Sequence, residues 1–153
     1  AAWSRHSREP QVGPSGSRAL MAFTATATRL DGSLKHEVLV NGRHSIITDE
    51  PESLGGSDLG PAPHELLPAA LASCISTMVS LYAQRKGWEI GDISVDVTYD
   101  TDVTPRRFDV DVHLPAGLDE DQIKRLTNVA HTCPVRKAME AGFEFNEQIR
   151  LGD

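Results

Sequence analysis

From Phe23 the chain alternates small apolar and polar residues, Phe23-Thr24-Ala25-Thr26-Ala27-Thr28-Arg29, with the period of two that a strand requires. Asp31-Gly32 closes that run. Two further runs, Val38-Leu39-Val40 and His44-Ser45-Ile46-Ile47, flank Asn41-Gly42. Asn-Gly tolerates positive φ at both central positions, so this pattern predicts a hairpin on a type I′ turn. Residues Asp49 to Pro63 carry Gly55, Gly56, Gly60, Pro61 and Pro63 and read as a loop.

A helix is expected from about Pro63 to Arg85, because Leu67, Leu71, Cys74, Met78 and Leu81 recur at steps of three and four. Gly87 is its expected stop. Pro68 conflicts with an early start, since its ring would clash with the preceding turn. The helix is therefore kinked there or begins near Leu67. Ile93, Val95, Val97 and Tyr99 alternate with polar residues, as do Phe108, Val110, Val112 and Leu114. These predict two strands, each with one buried and one wet face. Asp119-Glu120-Asp121 suits the first turn of a second helix, with an apolar stripe at Ile123, Leu126, Ala130 and Cys133. Pro134 interrupts that stripe, so a fresh short helix should start there and end at Gly142. Phe143 to Ile149 reads as a final strand.

The first twenty residues do not fit this order. Ala1 to Leu20 is rich in breakers and lacks periodicity, so it reads as an expression leader or a misassigned start, with a native arm as the alternative. A single domain then occupies residues 21–153, a length that can bury one core. Hydrophobic content of 39% and charged content of 24% fit a globular protein. The net charge of −7, with scattered basic residues, excludes a nucleic-acid platform. No apolar run is expected to approach the roughly 18 residues that cross a bilayer, and the N-terminus lacks a signal peptide's apolar middle. Two cysteines do not make a secreted disulfide scaffold, which leaves a reducing cytosol as the default compartment. No phosphate loop or dinucleotide fingerprint occurs, and no Cys-x-x-Cys or His-x-x-x-His pair marks a metal site. No cofactor and no metal is implied.

The two cysteines remain. A free cysteine is often a small buried hydrophobe. Cys133, however, directly precedes Pro134 and so lies beside a helix N-terminus, where amide dipoles favour a thiolate. Both cysteines fall on helices expected to pack together, and two thiols that meet can form and break a disulfide.

The segment Gly55-Gly56-Ser57-Asp58-Leu59-Gly60-Pro61-Ala62-Pro63-His64-Glu65-Leu66-Leu67, running on through Ala69-Ala70-Leu71-Ala72-Ser73-Cys74, resembles the signature of the OsmC-like family, which includes organic-hydroperoxide-resistance proteins. Ala130-His131-Thr132-Cys133-Pro134-Val135 is similar to that family's second cysteine motif, and Thr24 to Thr28 to its first strand. The resemblance covers about residues 22 to 150. It implies an α+β fold: an intertwined homodimer in which a long central helix is wrapped by strongly bent antiparallel sheets and each active site uses both chains. It implies a thiol-dependent peroxidase for organic hydroperoxides, with Cys74 peroxidatic and Cys133 resolving, reset by a thiol reductant such as a dihydrolipoyl group.

Peroxidase members also pair an arginine with a glutamate near the reactive thiol. Their glutamate follows the proline matching Pro63, where this chain has His64. Glu65 comes one place later, about 100° around a helix, and its alternative role is a first-turn carboxylate facing the helix dipole. Arg29, near the end of the first strand, is the candidate arginine, and Arg43 the other. The departure at His64 keeps open a second reading: a protein of this fold that binds a small ligand at the dimer cleft without turnover. A thioesterase-like protein of the hot-dog fold, which also wraps a sheet around a long helix, is the third.

Overall fold

The computed structural model describes residues 22–152; the expected leader over residues 1–20 lies outside them. Strands β1 (Ala25–Arg29), β2 (His36–Val40) and β3 (His44–Thr48) form one antiparallel sheet in that order. Asn41 (φ 50°) and Gly42 (φ 66°) both take positive φ, as a type I′ turn demands. The register follows, with Val40 facing His44 and Val38 facing Ile46. This sheet packs chiefly with itself, and every residue of β1 is exposed.

The loop after β3 is built on a buried carboxylate. Asp49 Oδ1 accepts the Glu50 N–H at 2.9 Å, while Oδ2 accepts those of Ser57 at 3.1 Å and Leu59 at 3.3 Å. Burial opposes ionisation of this carboxyl, but the three amide donors, with Lys35 acting at longer range, outweigh it and hold its pKa below the ordinary value. The chain passes so close to itself that a Cβ at Gly56 would overlap the Glu50 carbonyl, and one at Gly60 that of Ile47. The glycine-rich signature is thus the set of residues that can wrap this carboxylate.

A short 3₁₀ turn, Pro63–Glu65, leads into α1 (Leu66–Lys86), which ends at Gly87. Of the two expectations for Pro68, the later start holds: it occupies the first turn, where its missing N–H has no helical acceptor to lose. The expected stripe needs correction. The buried ridge is Leu71, Ile75, Val79 and Ala83; Cys74 and Met78 lie half-buried beside it, and Leu67 and Leu81 are exposed. Apolar residues circle most of α1, so spacing alone does not select the face that meets the core. The same composition corrects the expectation about bilayer-length runs: Pro63–Lys86 is long and apolar enough to cross a membrane by length and composition, with a mean hydropathy of 1.6.

Strands β4 (Ser94–Asp100) and β5 (Arg107–His113) form a second antiparallel sheet, pairing Val97 with Val110 and Tyr99 with Phe108. Helix α2 (Glu120–Ala130) starts at Asp119, which caps the Gln122 N–H at 2.8 Å while the Gln122 side chain returns the bond at 3.0 Å. Helix α3 (Pro134–Ala141) follows. The α1 ridge packs on β4, α2 and α3, so the core joins Leu71, Ile75, Val79 and Ala83 to Leu126, Ala130 and Cys133. The result is a mixed α/β chain in which α1 is central and the first sheet stands apart.

The expected final strand is absent: among the described residues no strand follows α3. Phe143, Phe145, Ile149 and Leu151 are 65–94% exposed. A strand needs a hydrogen-bonding edge, and neither sheet of this chain pairs with residues 143–149.

Leu126 is fully buried in the core between α1 and α2. Leu126→Ala is expected to lower unfolding free energy by about 2–5 kcal/mol in denaturant titrations. Asp49 makes a second, pH-linked contribution. With its folded pKa depressed, it stabilises the fold above the ordinary carboxylate range and stops doing so as pH falls through the folded value. Stability measured against pH should therefore drop more steeply on acidification in the wild type than in Asp49→Asn; parallel curves would remove Asp49 from that role.

Candidate active site

Cys133 owes its place to the residue after it. Proline disfavours helical geometry in the preceding residue, and Cys133 sits at φ −53°, ψ 124°, as the N-cap of α3. From there its Sγ accepts the Arg136 N–H at 3.5 Å, so a thiol occupies the position where Ser, Thr or Asp usually serves. The side chain is completely buried. The Val135 and Arg136 N–H groups at the start of α3 point toward this end, and anionic sulfur is favoured there.

Cys74 reaches the same spot from α1. It stands one residue off the buried ridge, half-exposed, with its thiol close enough to Cys133 for the neighbouring sulfur to act on it. Both cysteines are free thiols. Burial raises the Cys74 pKa most, and the contact with Cys133 raises it further through both hydrogen bonding and charge; the Val135 backbone N–H pulls the other way. The net direction is upward. Cys74 thus senses Cys133, and the amides at the start of α3 serve both sulfurs.

The other sequence candidates sit elsewhere in the single chain. Arg29 donates through Nε to the Ser33 carbonyl at 2.6 Å and through Nη2 to that of Gly32, which ties it to its own turn. Glu65 accepts the Ala62 N–H at 2.9 Å and so closes the turn before α1. That is the role of a start-of-helix carboxylate. His64 packs edge-on against Tyr99, with ring centres 5.2 Å apart, and Tyr99 stacks on Phe108 at 4.5 Å. His64, Glu65, Pro68, Tyr99 and Thr101 line a shallow depression of about 240 Å3. None of Arg29, Arg43, His64 and Glu65 is among the groups that act on the Cys74 thiol. The sequence reading missed Asp49 altogether. Its signal was an acid followed by a glycine-rich stretch, a combination that also occurs in ordinary solvent-facing turns.

Comparison with known proteins agrees with this geometry. The family model described as OsmC-like protein matches residues 55–148, from the glycine-rich loop through both cysteines and α3. The chain belongs to the OsmC-like family. No curated protein sequence matches it. Among solved structures, this OsmC-like chain is similar to one provisionally described as an osmotic-stress-induced and detoxification-response protein from Psychrobacter arcticus, at 28% identity and TM-score 0.64, covering 78% of this chain and 90% of that one. An organic hydroperoxide resistance protein OsmC from Legionella pneumophila is similar at 24% identity and TM-score 0.54, covering 80% and 91%. One from Elizabethkingia anophelis gives 22% and 0.56, covering 79% and 89%. At those two identities the likeness shows the fold.

The coupling of the thiols has a measurable sign. Cys133→Ala removes both of the raising contributions that Cys133 makes to Cys74, so the midpoint of Cys74 alkylation by iodoacetamide against pH should move down. Peptide mass spectrometry reads the rate at each pH. A midpoint that stays put or climbs would mean that the two sulfurs do not sense each other.

Proposed function

We propose that this protein is a thiol-dependent peroxidase that reduces organic hydroperoxides, with Cys74 as the attacking thiol and Cys133 as the resolving one. The observation that carries the reading is the contact between two free thiols supplied by different helices at one helix N-terminus. In the first step the Cys74 thiolate attacks the distal peroxide oxygen; the O–O bond breaks, Cys74 becomes a sulfenic acid and the alkoxide leaves as an alcohol after taking a proton. The Cys133 thiol then displaces the hydroxyl as water and the disulfide forms. An external dithiol, such as a dihydrolipoyl group, reduces the disulfide by exchange and leaves oxidised.

Only a thiolate attacks efficiently, and in the single chain the Cys74 pKa is raised. The reading therefore calls for a cation beyond those that the described residues of this chain bring to Cys74. We assign it to Arg29 of a second copy, oriented by a carboxylate such as Glu65, in an intertwined homodimer acting in a reducing cytosol. The first sheet, which stands clear of its own core, and the exposed apolar residues from Phe143 to Leu151 support such an exchange. His64, where peroxidase relatives carry glutamate, favours a second reading in which the same fold holds a small ligand without turnover.

The two readings separate in one assay. Reduced protein mixed with cumene hydroperoxide should consume it and acquire an intramolecular Cys74–Cys133 disulfide, detected by mass spectrometry. Cys74→Ser should fall to background, whereas Cys133→Ser should complete one attack and stall as a sulfenic acid that dimedone traps. Thiols that stay reduced under excess peroxide, or a Cys74→Ser variant as fast as wild type, would sink the peroxidase reading.

A further inference from the structure

The thiol pair offers a chemistry that peroxide reduction does not use. Helix α1 packs on α3, and Cys74 packs against the core cluster that includes Cys133. Successive amides at the start of α3 address the two sulfurs. The Arg136 N–H bonds Cys133 Sγ at 3.5 Å, and the Val135 N–H acts on the Cys74 thiol. One sulfur is fully buried, the other is half-exposed, and both are free. Two reduced sulfurs carried by different helices to one helix N-terminus form a two-donor clamp. The cysteines stand far apart in the chain, so no spacing motif announces it.

What such a clamp can hold follows from its surroundings. Among the described residues, no group of three or more His, Cys, Asp or Glu side chains is placed to hold a metal ion. Zinc, which takes about four ligands in closed protein sites, is therefore left short. Calcium and magnesium need oxygen donors, which a pair of sulfurs does not provide. Water does not make up the deficit at Cys133, whose side chain has no exposed surface. Copper(I) needs neither: it is soft, prefers thiolates and is satisfied by two of them in line. The electrostatics agree. Two thiolates around one monovalent cation leave a single negative charge, which the N–H groups at the start of a helix favour.

We infer that Cys74 and Cys133 together form a two-coordinate site for copper(I), entered from the half-exposed side at Cys74. Binding displaces one proton from each thiol and moves no electrons. The site needs both sulfurs reduced and adjacent, and it does not need Cys74 to attack a peroxide. A protein that held copper(I) but left peroxide intact would keep this inference and lose the peroxidase reading. The second copy assigned in that reading brings a cation to Cys74 and takes neither sulfur away. The ion approaches by the path a hydroperoxide would use. Copper and peroxide exclude each other, because the lone pairs that bind the one are those that attack the other.

Titrating the reduced full chain under nitrogen with copper(I) held by bathocuproine disulfonate tests this. Loss of the chelator's colour should report one copper(I) per chain. Cys74→Ser and Cys133→Ser should each weaken binding by at least about a hundredfold, the upper end of what changes at outer partners of a metal cost. Serine is a good N-cap, so Cys133→Ser keeps the start of α3 and should still melt cooperatively. His131→Ala, which removes the imidazole closest in sequence to Cys133, should bind as tightly as wild type. Bound copper should also protect both cysteines from iodoacetamide, read by peptide mass spectrometry. No transfer of copper, one ion shared by two chains, a single-cysteine variant that binds like wild type, or a His131→Ala loss as large as that of either cysteine would each overturn the inference.

Discussion

Burial of the Leu71–Ile75–Val79–Ala83 ridge fixes the roll of α1 about its axis, and the roll decides where Cys74 points. A helix places successive side chains about 100° apart. With Ile75 committed to the core, Cys74 falls at the margin, half-covered and facing the start of α3. A roll of one position would bury the thiol in β4–β5 or turn it outward, away from Cys133. Leu126 and Ala130 hold the other side of the same contact, so the α2–α3 break is registered against the ridge by ordinary packing. The thiol pair is thus a product of hydrophobic burial, and no polar network is required to hold it.

Much of this was legible in the residues. Alternation gave β1, β4 and β5 nearly to their ends, Asn41-Gly42 gave the hairpin of β2 and β3, and Cys133-Pro134 gave both the helix break and the position of the sulfur at its start. The failures have physical reasons. Apolar residues surround α1, so spacing could not say whether the Leu71 row or the Leu67–Cys74–Met78 set faces inward. Residues 143–149 do have a strand's alternation, but alternation records a face to be covered and says nothing of which chain supplies the edge. Asp49 was invisible because its value comes from three amides brought to it by the glycine-rich loop, a long-range arrangement that no local pattern encodes. Glu65 and Arg29 had recognisable types and positions, yet in the single chain each satisfies nearby backbone groups.

The electrostatics of the site are asymmetric. Desolvation and the neighbouring sulfur raise the Cys74 pKa, and the Val135 amide at the start of α3 opposes them. Backbone dipoles of this kind are fixed by the fold and do not need to reorganise as charge develops on sulfur. Side-chain cations would have to be delivered, and the chain keeps its two strand-and-hairpin arginines, Arg29 and Arg43, on the sheet that stands apart from the core.

Cys133 as the N-cap of α3 carries a consequence of its own. A serine or aspartate in that position is chemically inert, so the helix it starts is insensitive to redox conditions. Sulfur accepts hydrogen bonds weakly as a thiol and far better as a thiolate. The first turn of α3, with Arg136 in it, is therefore anchored by an atom whose acceptor strength changes when it loses its proton or bonds to another sulfur.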